Sequence, residues 1–199
     1  MEFAGQLGLT GAQVCDGGAT ILDPVTGETL WYVPLLPDHA QFIVEHLDRM
    51  AAAFIATFPG GSIDSMAQVP HWNLTRVSAL DLAEVTADSL VATLGAIPNL
   101  RVVKVYLPYN GMWAVDFTHG SVDKATGVRE LGGIIGVDPG LMAAAGDGYN
   151  DLPLLKACGL RIAMEDAPEE LKAIAHYVAP SAEDDGLAVA IEEFLLPRL

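Results

Sequence analysis

Basic residues are scarce in this 199-residue chain, and long apolar runs are absent. Ten Lys and Arg stand against 26 Asp and Glu, which gives a formal net charge of −16. Proteins that bind duplex nucleic acid or an anionic membrane surface use clustered Lys and Arg, and the sequence has no such cluster. No stretch reaches the roughly 18 uninterrupted apolar residues that indicate a membrane-spanning helix. The composition therefore argues against nucleic acid and membranes as partners.

Cysteine is also rare, with Cys15 and Cys158 the two in the sequence. So few thiols indicate reduced, partly buried side chains rather than a disulfide framework. The first residues lack the basic segment and apolar core of a secretory signal. We therefore expect a cytoplasmic protein.

Aromatic residues make up only 7% of the chain, although 51% of it is hydrophobic. A core built mainly from Ala, Val, Leu and Gly favours helices packed on a buried sheet over a sandwich of aromatic-rich strands. The few aromatic side chains between residues 72 and 113 are expected in a domain core rather than in a pocket. They are Trp72, Tyr106, Tyr109 and Trp113.

From residue 121 onward the chain alternates between amphipathic helices and short strands that are apolar throughout. Helices are predicted over 122–135, 150–157, 167–175 and 186–195, and strands over 141–147, 160–164 and 176–180. Apolar strands joined to helices by short connections are typical of a parallel sheet covered on both faces. The fold class is therefore α/β, with a doubly wound parallel sheet.

The preceding residues have a different pattern. A turn-rich hairpin is predicted over 11–32, followed by an α+β block over 34–119. Within that block we predict helices over 38–58, with Asp38 as N-cap, and 86–96, and strands over 77–82, 101–107 and 112–118. The predicted domains are 1–33, 34–119 and 120–199.

A polar hexapeptide, GDGYND, begins at Gly146 where a predicted buried strand ends. Ligands of open α/β sheets bind at the carboxyl ends of strands. Asp147, Asn150 and Asp151 offer the oxygen ligands that Mg²⁺ prefers. The alternative is a polar turn that only caps the next helix, with Asn150 or Asp151 as N-cap.

Lys124 lies near the start of the predicted helix 122–135. With Ser121 as N-cap, it would be the third helical residue, where a cation opposes the helix dipole. A lysine at this end would strengthen phosphate binding, since helix N-termini attract anions. The alternative is a solvated surface lysine beside Asp123.

Together these segments resemble the Cof-type, class IIB phosphatases of the haloacid dehalogenase (HAD) superfamily. The resemblance rests on SVDKATGVREL, AAAGDGYNDLPLL and the tail from Gly159, and on the hairpin GAQVCDGGATILDPVTGETL. It implies a HAD core with an inserted α+β cap of the C2B type.

The resemblance also implies roles for particular residues. Asp147 would be a Mg²⁺ ligand, and Asp151 would be the second acid that supports the metal. Lys124 would neutralise the phosphoryl group, and Asn150 would hydrogen-bond a phosphate oxygen. Lys124 and Asp151 are thus the predicted catalytic residues. The implied substrate is a small phosphorylated metabolite, such as a sugar phosphate or phosphoglycolate, hydrolysed through an aspartyl-phosphate.

The sequence departs from the family pattern because no two aspartates are separated by one residue. The family nucleophile lies in D-x-D-G-(T/S) at the end of the first strand. We therefore expect the first core strand to be missing, the chain alone to be inactive, and the exposed sheet to favour self-association. The alternative is a degenerate, non-catalytic member that binds a partner or a phosphorylated ligand. A dinucleotide-binding fold is disfavoured because no G-x-G-x-x-G follows a strand.

Overall fold

A computed structural model describes residues 2–198 of the chain, with side chains from residue 4 onward. The chain forms two compact units that divide between Val122 and Asp123. The predicted hairpin is counted in the first unit, so its assignment to a core domain stays a prediction. No helix within residues 2–198 is long and apolar enough to cross a membrane.

The first unit opens with a short helix and a three-stranded antiparallel hairpin sheet. These elements are α1 (Glu2–Gln6), β1 (Gln13–Cys15), β2 (Thr20–Leu22) and β3 (Thr29–Tyr32). The turn after β1 contains Asp16 and Gly17, with φ of 53° and 66°. In the second turn, Asp23 Oδ1 accepts hydrogen bonds from the amides of Val25 (2.8 Å) and Thr26 (3.2 Å).

The rest of the first unit is the α+β block. Its elements are α2 (Pro37–Arg49), β4 (Phe54–Phe58), β5 (Gly61–Ile63), β6 (Arg76–Leu82), α3 (Glu84–Leu94), β7 (Leu100–Leu107) and β8 (Met112–His119). The strands form one antiparallel sheet in the order β5-β4-β6-β8-β7. Its core joins apolar side chains of α2 and α3, such as Leu47 and Leu90, to Val77 and Phe117 of the sheet.

The prediction of one helix over 38–58 is wrong. Helix α2 ends at Arg49, and Ala51 has a left-handed φ of 51°. The next apolar residues form β4, which pairs antiparallel with β6. Apolar spacing alone did not reveal this break, because strand pairing with a distant segment outweighed the local periodicity. Asp38 is not the N-cap, since the helix already begins at Pro37.

The aromatic residues of the block divide into two kinds. Trp72 and Trp113 pack against the core, as expected. Tyr106 and Tyr109 are 52% and 71% exposed, so the expectation that they belong to the core is wrong. The ring of Tyr106 packs edge-on against that of Trp113, with ring centroids 5.2 Å apart. Tyr109 instead donates a hydrogen bond to Asp81 at 3.0 Å.

The second unit contains the predicted parallel sheet. Its elements are α4 (Lys124–Ile135), β9 (Ala143–Gly146), α5 (Leu152–Ala157), β10 (Leu160–Met164), α6 (Glu169–Lys172), β11 (Tyr177–Ala179), α7 (Gly186–Val189) and a π-helical segment, Ala190–Leu195. The strands are parallel in the order β11-β10-β9. Neighbouring β10 residues enter different cores: Ala163 packs with Leu155 and Leu171, whereas Ile162 packs with Ala190 and Phe194. The predicted α/β architecture, with helices on both sheet faces, is confirmed.

The packing of the α+β block can be tested at Phe117, which is fully buried. We expect Phe117→Ala to lower the free energy of unfolding by about 3–5 kcal/mol, because it removes a buried ring and leaves a cavity. Urea unfolding measures this loss.

The matched control is Phe42→Ala, since Phe42 is 42% exposed and stacks on His46. Its loss should be about 1 kcal/mol or less, as for most substitutions at exposed positions. Equal losses for the two variants would contradict the assigned core.

Candidate active site

The loop that follows β9 is closed by the carboxylate of Asp151. This residue is only 3% exposed. Its Oδ2 atom accepts hydrogen bonds from the amides of Asp147 (3.1 Å) and Gly148 (3.2 Å). Asp151 thereby fixes the backbone of the preceding turn at the carboxyl end of the strand.

Two glycines make this arrangement sterically feasible. A Cβ atom on Gly146 would lie 2.5 Å from Cβ of Asp151, far inside van der Waals contact. A Cβ atom on Gly148 would lie 2.7 Å from Oδ1 of Asn150. The glycines of the hexapeptide therefore leave the space that the two polar side chains occupy.

Helix α4 begins at Lys124, and Asp123 is its N-cap. Asp123 has extended backbone angles, and its Oδ1 accepts hydrogen bonds from the amide (2.7 Å) and the hydroxyl (3.0 Å) of Thr126. The prediction of Ser121 as N-cap, with Lys124 at the third position, is wrong. The Asp123 carboxylate caps the first turn of the helix, and its negative charge offsets the lysine beside it.

Lys124 and Asp151 form an ion pair between Nζ and Oδ1. The Asp151 side chain is 4% exposed, whereas 35% of the Lys124 side chain reaches solvent. Both Asp151 oxygens are thus engaged, one by the lysine and one by two amides. A carboxylate this buried requires such partners, since an unpaired buried charge is strongly destabilising.

Asp147 belongs to the same loop and is exposed as a residue, although its carboxyl group is partly withdrawn from solvent. Partial burial raises the pKa of Asp147, and a hydrogen bond with Asp151 and the charge of that residue raise it further. The charge of Lys124 acts in the opposite direction. Solvent screens part of these effects at an exposed side chain.

A cavity of about 460 Å³ opens beside this pair. Its lining includes three predicted site residues: Lys124, Asp147 and Asp151. Asn150 does not line the cavity; its side chain lies beside Gly148. The remaining lining residues, mostly small or apolar, are Ala145, Gly146, Met164, Ala182, Asp185, Gly186, Leu187 and Ala188.

Asp185 is a charged residue of the cavity lining that the sequence analysis did not single out. It has a left-handed φ of 55° immediately before α7. The following Gly186 has no space for a side chain, because a Cβ atom would lie 1.9 Å from the carbonyl oxygen of Pro180. The sequence signal that could have indicated Asp185 as a site residue is an acid followed by glycine shortly after a strand.

The carboxylate oxygens of this cavity are the kind of ligand atom that Mg²⁺ prefers. Asp147 offers exposed carboxylate oxygens beside the cavity, whereas both oxygens of Asp151 already accept hydrogen bonds. Within the described residues, no group of three or more His, Cys, Asp or Glu side chains is arranged to hold a metal. Mg²⁺ is commonly held by one or two carboxylates, with waters and substrate phosphate completing its shell.

Comparison with known proteins defines the class. A family model for haloacid dehalogenase-like hydrolases matches residues 81–191, and the chain belongs to this family. It is 39% identical, over 124 residues, to a putative phosphatase of Haemophilus influenzae, covering 62% of this chain and 44% of that protein. It is 33% identical, over 87 residues, to a phosphoglycolate phosphatase of Methanothermobacter thermautotrophicus, covering 44% of this chain and 39% of that protein. The matches thus span less than half the length of these relatives.

Solved structures agree on the fold. A haloacid dehalogenase-like hydrolase from B. subtilis superimposes with a TM-score of 0.80 at 16% identity, over 98% of this chain and 83% of that one. A HAD subclass IIB sugar phosphatase gives a TM-score of 0.73 at 16% identity, over 97% and 79%. The fold class expected from the resemblance is confirmed.

Gly146 offers a test of the loop. We expect Gly146→Ala to lower the free energy of unfolding by about 1–3 kcal/mol, because its methyl group overlaps Asp151 and displaces it. Chemical denaturation measures the change.

Gly133→Ala is the matched control, since nothing lies within 4 Å of a Cβ atom built there. This exposed position in α4 should gain roughly 0.5–1 kcal/mol from better helix propensity. A Gly146→Ala variant as stable as the parent chain would show that the loop is looser than described.

Proposed function

We propose that this cavity is the centre of a Mg²⁺-dependent phosphomonoesterase of the Cof-type, class IIB subgroup. Its substrate would be a small phosphorylated metabolite, of the sugar phosphate or phosphoglycolate type. The observation that carries the proposal is the Lys124–Asp151 ion pair beside the Asp147 carboxylate in one cavity. The relatives named as phosphatases support it.

Each residue would have a distinct task. Asp147 would hold the cation, which would supply positive charge at the phosphoryl oxygens. Asp151 would hold Lys124 in place and fix the metal-binding loop through its two amide bonds. The Lys124 ammonium would neutralise charge on the phosphoryl group. Asn150 would bind a phosphate oxygen after its side chain turns from Gly148 toward the cavity.

Because these 199 residues contain no D-x-D, we propose that a separate segment would have to supply the attacking aspartate. In the proposed reaction an aspartate oxygen attacks phosphorus while the substrate's alcohol leaves and takes a proton. Water then hydrolyses the aspartyl-phosphate and releases phosphate. We accordingly propose that this chain alone has little or no turnover, and that it works in the cytoplasm.

A second candidate is a non-catalytic protein that binds phosphorylated ligands. The absence of D-x-D favours it. Strand β9 lies at one edge of the described parallel sheet, where a further strand or a second copy could pair. Binding of a phosphorylated ligand without its hydrolysis would distinguish this candidate from the enzyme.

The metal site can be tested on the chain itself with Asp147→Asn. We expect Mg²⁺ to raise the thermal midpoint of the parent chain. The variant should lose this rise, because an amide is a poor Mg²⁺ ligand. Asp166→Asn, at an exposed position, is the control and should keep the full Mg²⁺ response.

The same variant has a predicted effect without metal. Burial and Asp151 raise the pKa of Asp147, so ionisation of this group opposes folding as pH rises through the raised pKa. Asp147→Asn should therefore match or exceed the stability of the metal-free parent at neutral pH. A lower midpoint at neutral pH, or a preserved Mg²⁺ response, would contradict the assigned role.

We propose that activity requires a D-x-D segment joined ahead of Met1, so the test uses a version of the protein that carries one. We expect it to hydrolyse p-nitrophenyl phosphate with Mg²⁺, and Lys124→Ala to reduce kcat by at least about 100-fold through lost charge stabilisation. Phosphate release measures both. Binding of inorganic phosphate without hydrolysis would favour the non-catalytic candidate.

A further inference from the structure

The hairpin turn contains an acid in a strained backbone conformation. Asp16 has a φ of 53°, a region that side-chain-bearing residues adopt rarely. Its carboxylate is largely withdrawn from solvent, with 11% of the side chain exposed. Such a conformation persists only where surrounding contacts hold it.

Two threonine hydroxyls and an arginine surround the Asp16 carboxylate. Its Oδ2 atom accepts hydrogen bonds from Thr20 Oγ1 and Thr75 Oγ1, both at 2.8 Å. An ionised carboxylate can only accept, so both hydroxyls must donate. Its Oδ1 atom lies 3.8 Å from Nε of Arg76. Thr20 belongs to the hairpin, whereas Thr75 belongs to the α+β block and lies 59 residues after Asp16 in the chain.

The contact continues into the sheet of that block. The hydroxyl oxygens of Thr75 and Thr57 are 3.2 Å apart, and the Thr75 amide donates to the Thr57 carbonyl at 2.8 Å. The Thr57 hydroxyl donates to the Arg76 carbonyl oxygen at 3.4 Å, which ties this contact to β6. Thr75 is fully buried, so this chain of hydrogen bonds is shielded from water.

The connection between hairpin and block runs beside these residues. The Val33 amide donates to the Ala19 carbonyl of the hairpin at 2.9 Å. The Leu35 amide donates to the Leu74 carbonyl of the block at 2.7 Å, next to Thr75. Residues 33–35 are thus tied to the hairpin at one end and to the block at the other.

We propose that Asp16 is a latch that fastens the hairpin to the α+β block and restrains the connection at residues 33–35. Without its carboxylate, the hydrogen bonds of Val33 and Leu35 and a longer one from Asn73 Nδ2 to the Tyr32 hydroxyl (3.4 Å) would still join the hairpin to the block. While the carboxylate is present, movement of the block relative to the hairpin requires breaking the hydrogen bond between Asp16 and Thr75. This proposal rests on contacts within the first unit and does not depend on the phosphatase assignment.

Residue-resolved amide hydrogen exchange of the 199-residue chain tests the latch. Thr75→Val removes the donor at nearly constant shape, and Asp16→Gly removes the acceptor while suiting the left-handed φ. Both should accelerate exchange at Val33 and Leu35 by roughly tenfold or more, since each breaks a buried hydrogen bond to a charged group. Amides in the β7–β8 pairing should keep their rates.

Asp16→Asn and Asp23→Ala complete the experiment. Asparagine retains an accepting oxygen and should keep most of the protection at Val33 and Leu35. The Asp23 carboxylate accepts hydrogen bonds from Val25 and Thr26 within the second turn, so its loss should leave the Val33 and Leu35 amides unaffected. Parent-like exchange in Thr75→Val and Asp16→Gly would overturn the proposal. A uniform acceleration that includes β7 and β8 would overturn it too, because it would indicate general destabilisation.

Discussion

The arrangement of the site depends on one buried carboxylate, that of Asp151. It accepts hydrogen bonds from two amides of the loop after β9, and it forms an ion pair with Lys124, the first residue of α4. A buried carboxylate without these partners would be strongly unfavourable, so the folded second unit must bring the helix start and the loop together. The exposed Asp147 carboxylate and the partly exposed ammonium of Lys124 are consequently held beside one cavity. Gly146 permits this packing because it has no side chain.

Much of the second unit could be predicted because its signals are local. The strand over Leu160–Met164 has the predicted bounds, and the alternation of apolar strands with helices correctly indicated a parallel sheet. Such strands are apolar on both faces, so they stand out without knowledge of their partners. Asp147 and Asp151, which the GDGYND segment brought forward as candidates, both line one cavity. The metal and phosphate roles of these residues remain predictions.

Features that depend on distant partners could not be predicted. Residues 54–58 continue an apolar helical spacing, yet they form a strand because β6 pairs with them. Ser121 and Asp123 are both good N-caps in sequence, and only the backbone angles select Asp123. Tyr106 and Tyr109 looked like core residues, but they lie near the exposed turn of the β7–β8 hairpin. Asp185 reaches the cavity from a segment more than 30 residues after Asp147, a proximity that local spacing does not reveal.

The central claim is that Lys124 and the acidic loop form one site for a cation and a phosphoryl oxygen. The most direct measurement is a crystal structure of this chain grown with Mg²⁺ and inorganic phosphate. The account predicts an ion about 2.1 Å from an Asp147 oxygen, with a phosphate oxygen within hydrogen-bonding distance of Lys124 Nζ. A structure in which Lys124 points away from Asp151, or in which the ion binds elsewhere while Asp147 contacts only water, would contradict it.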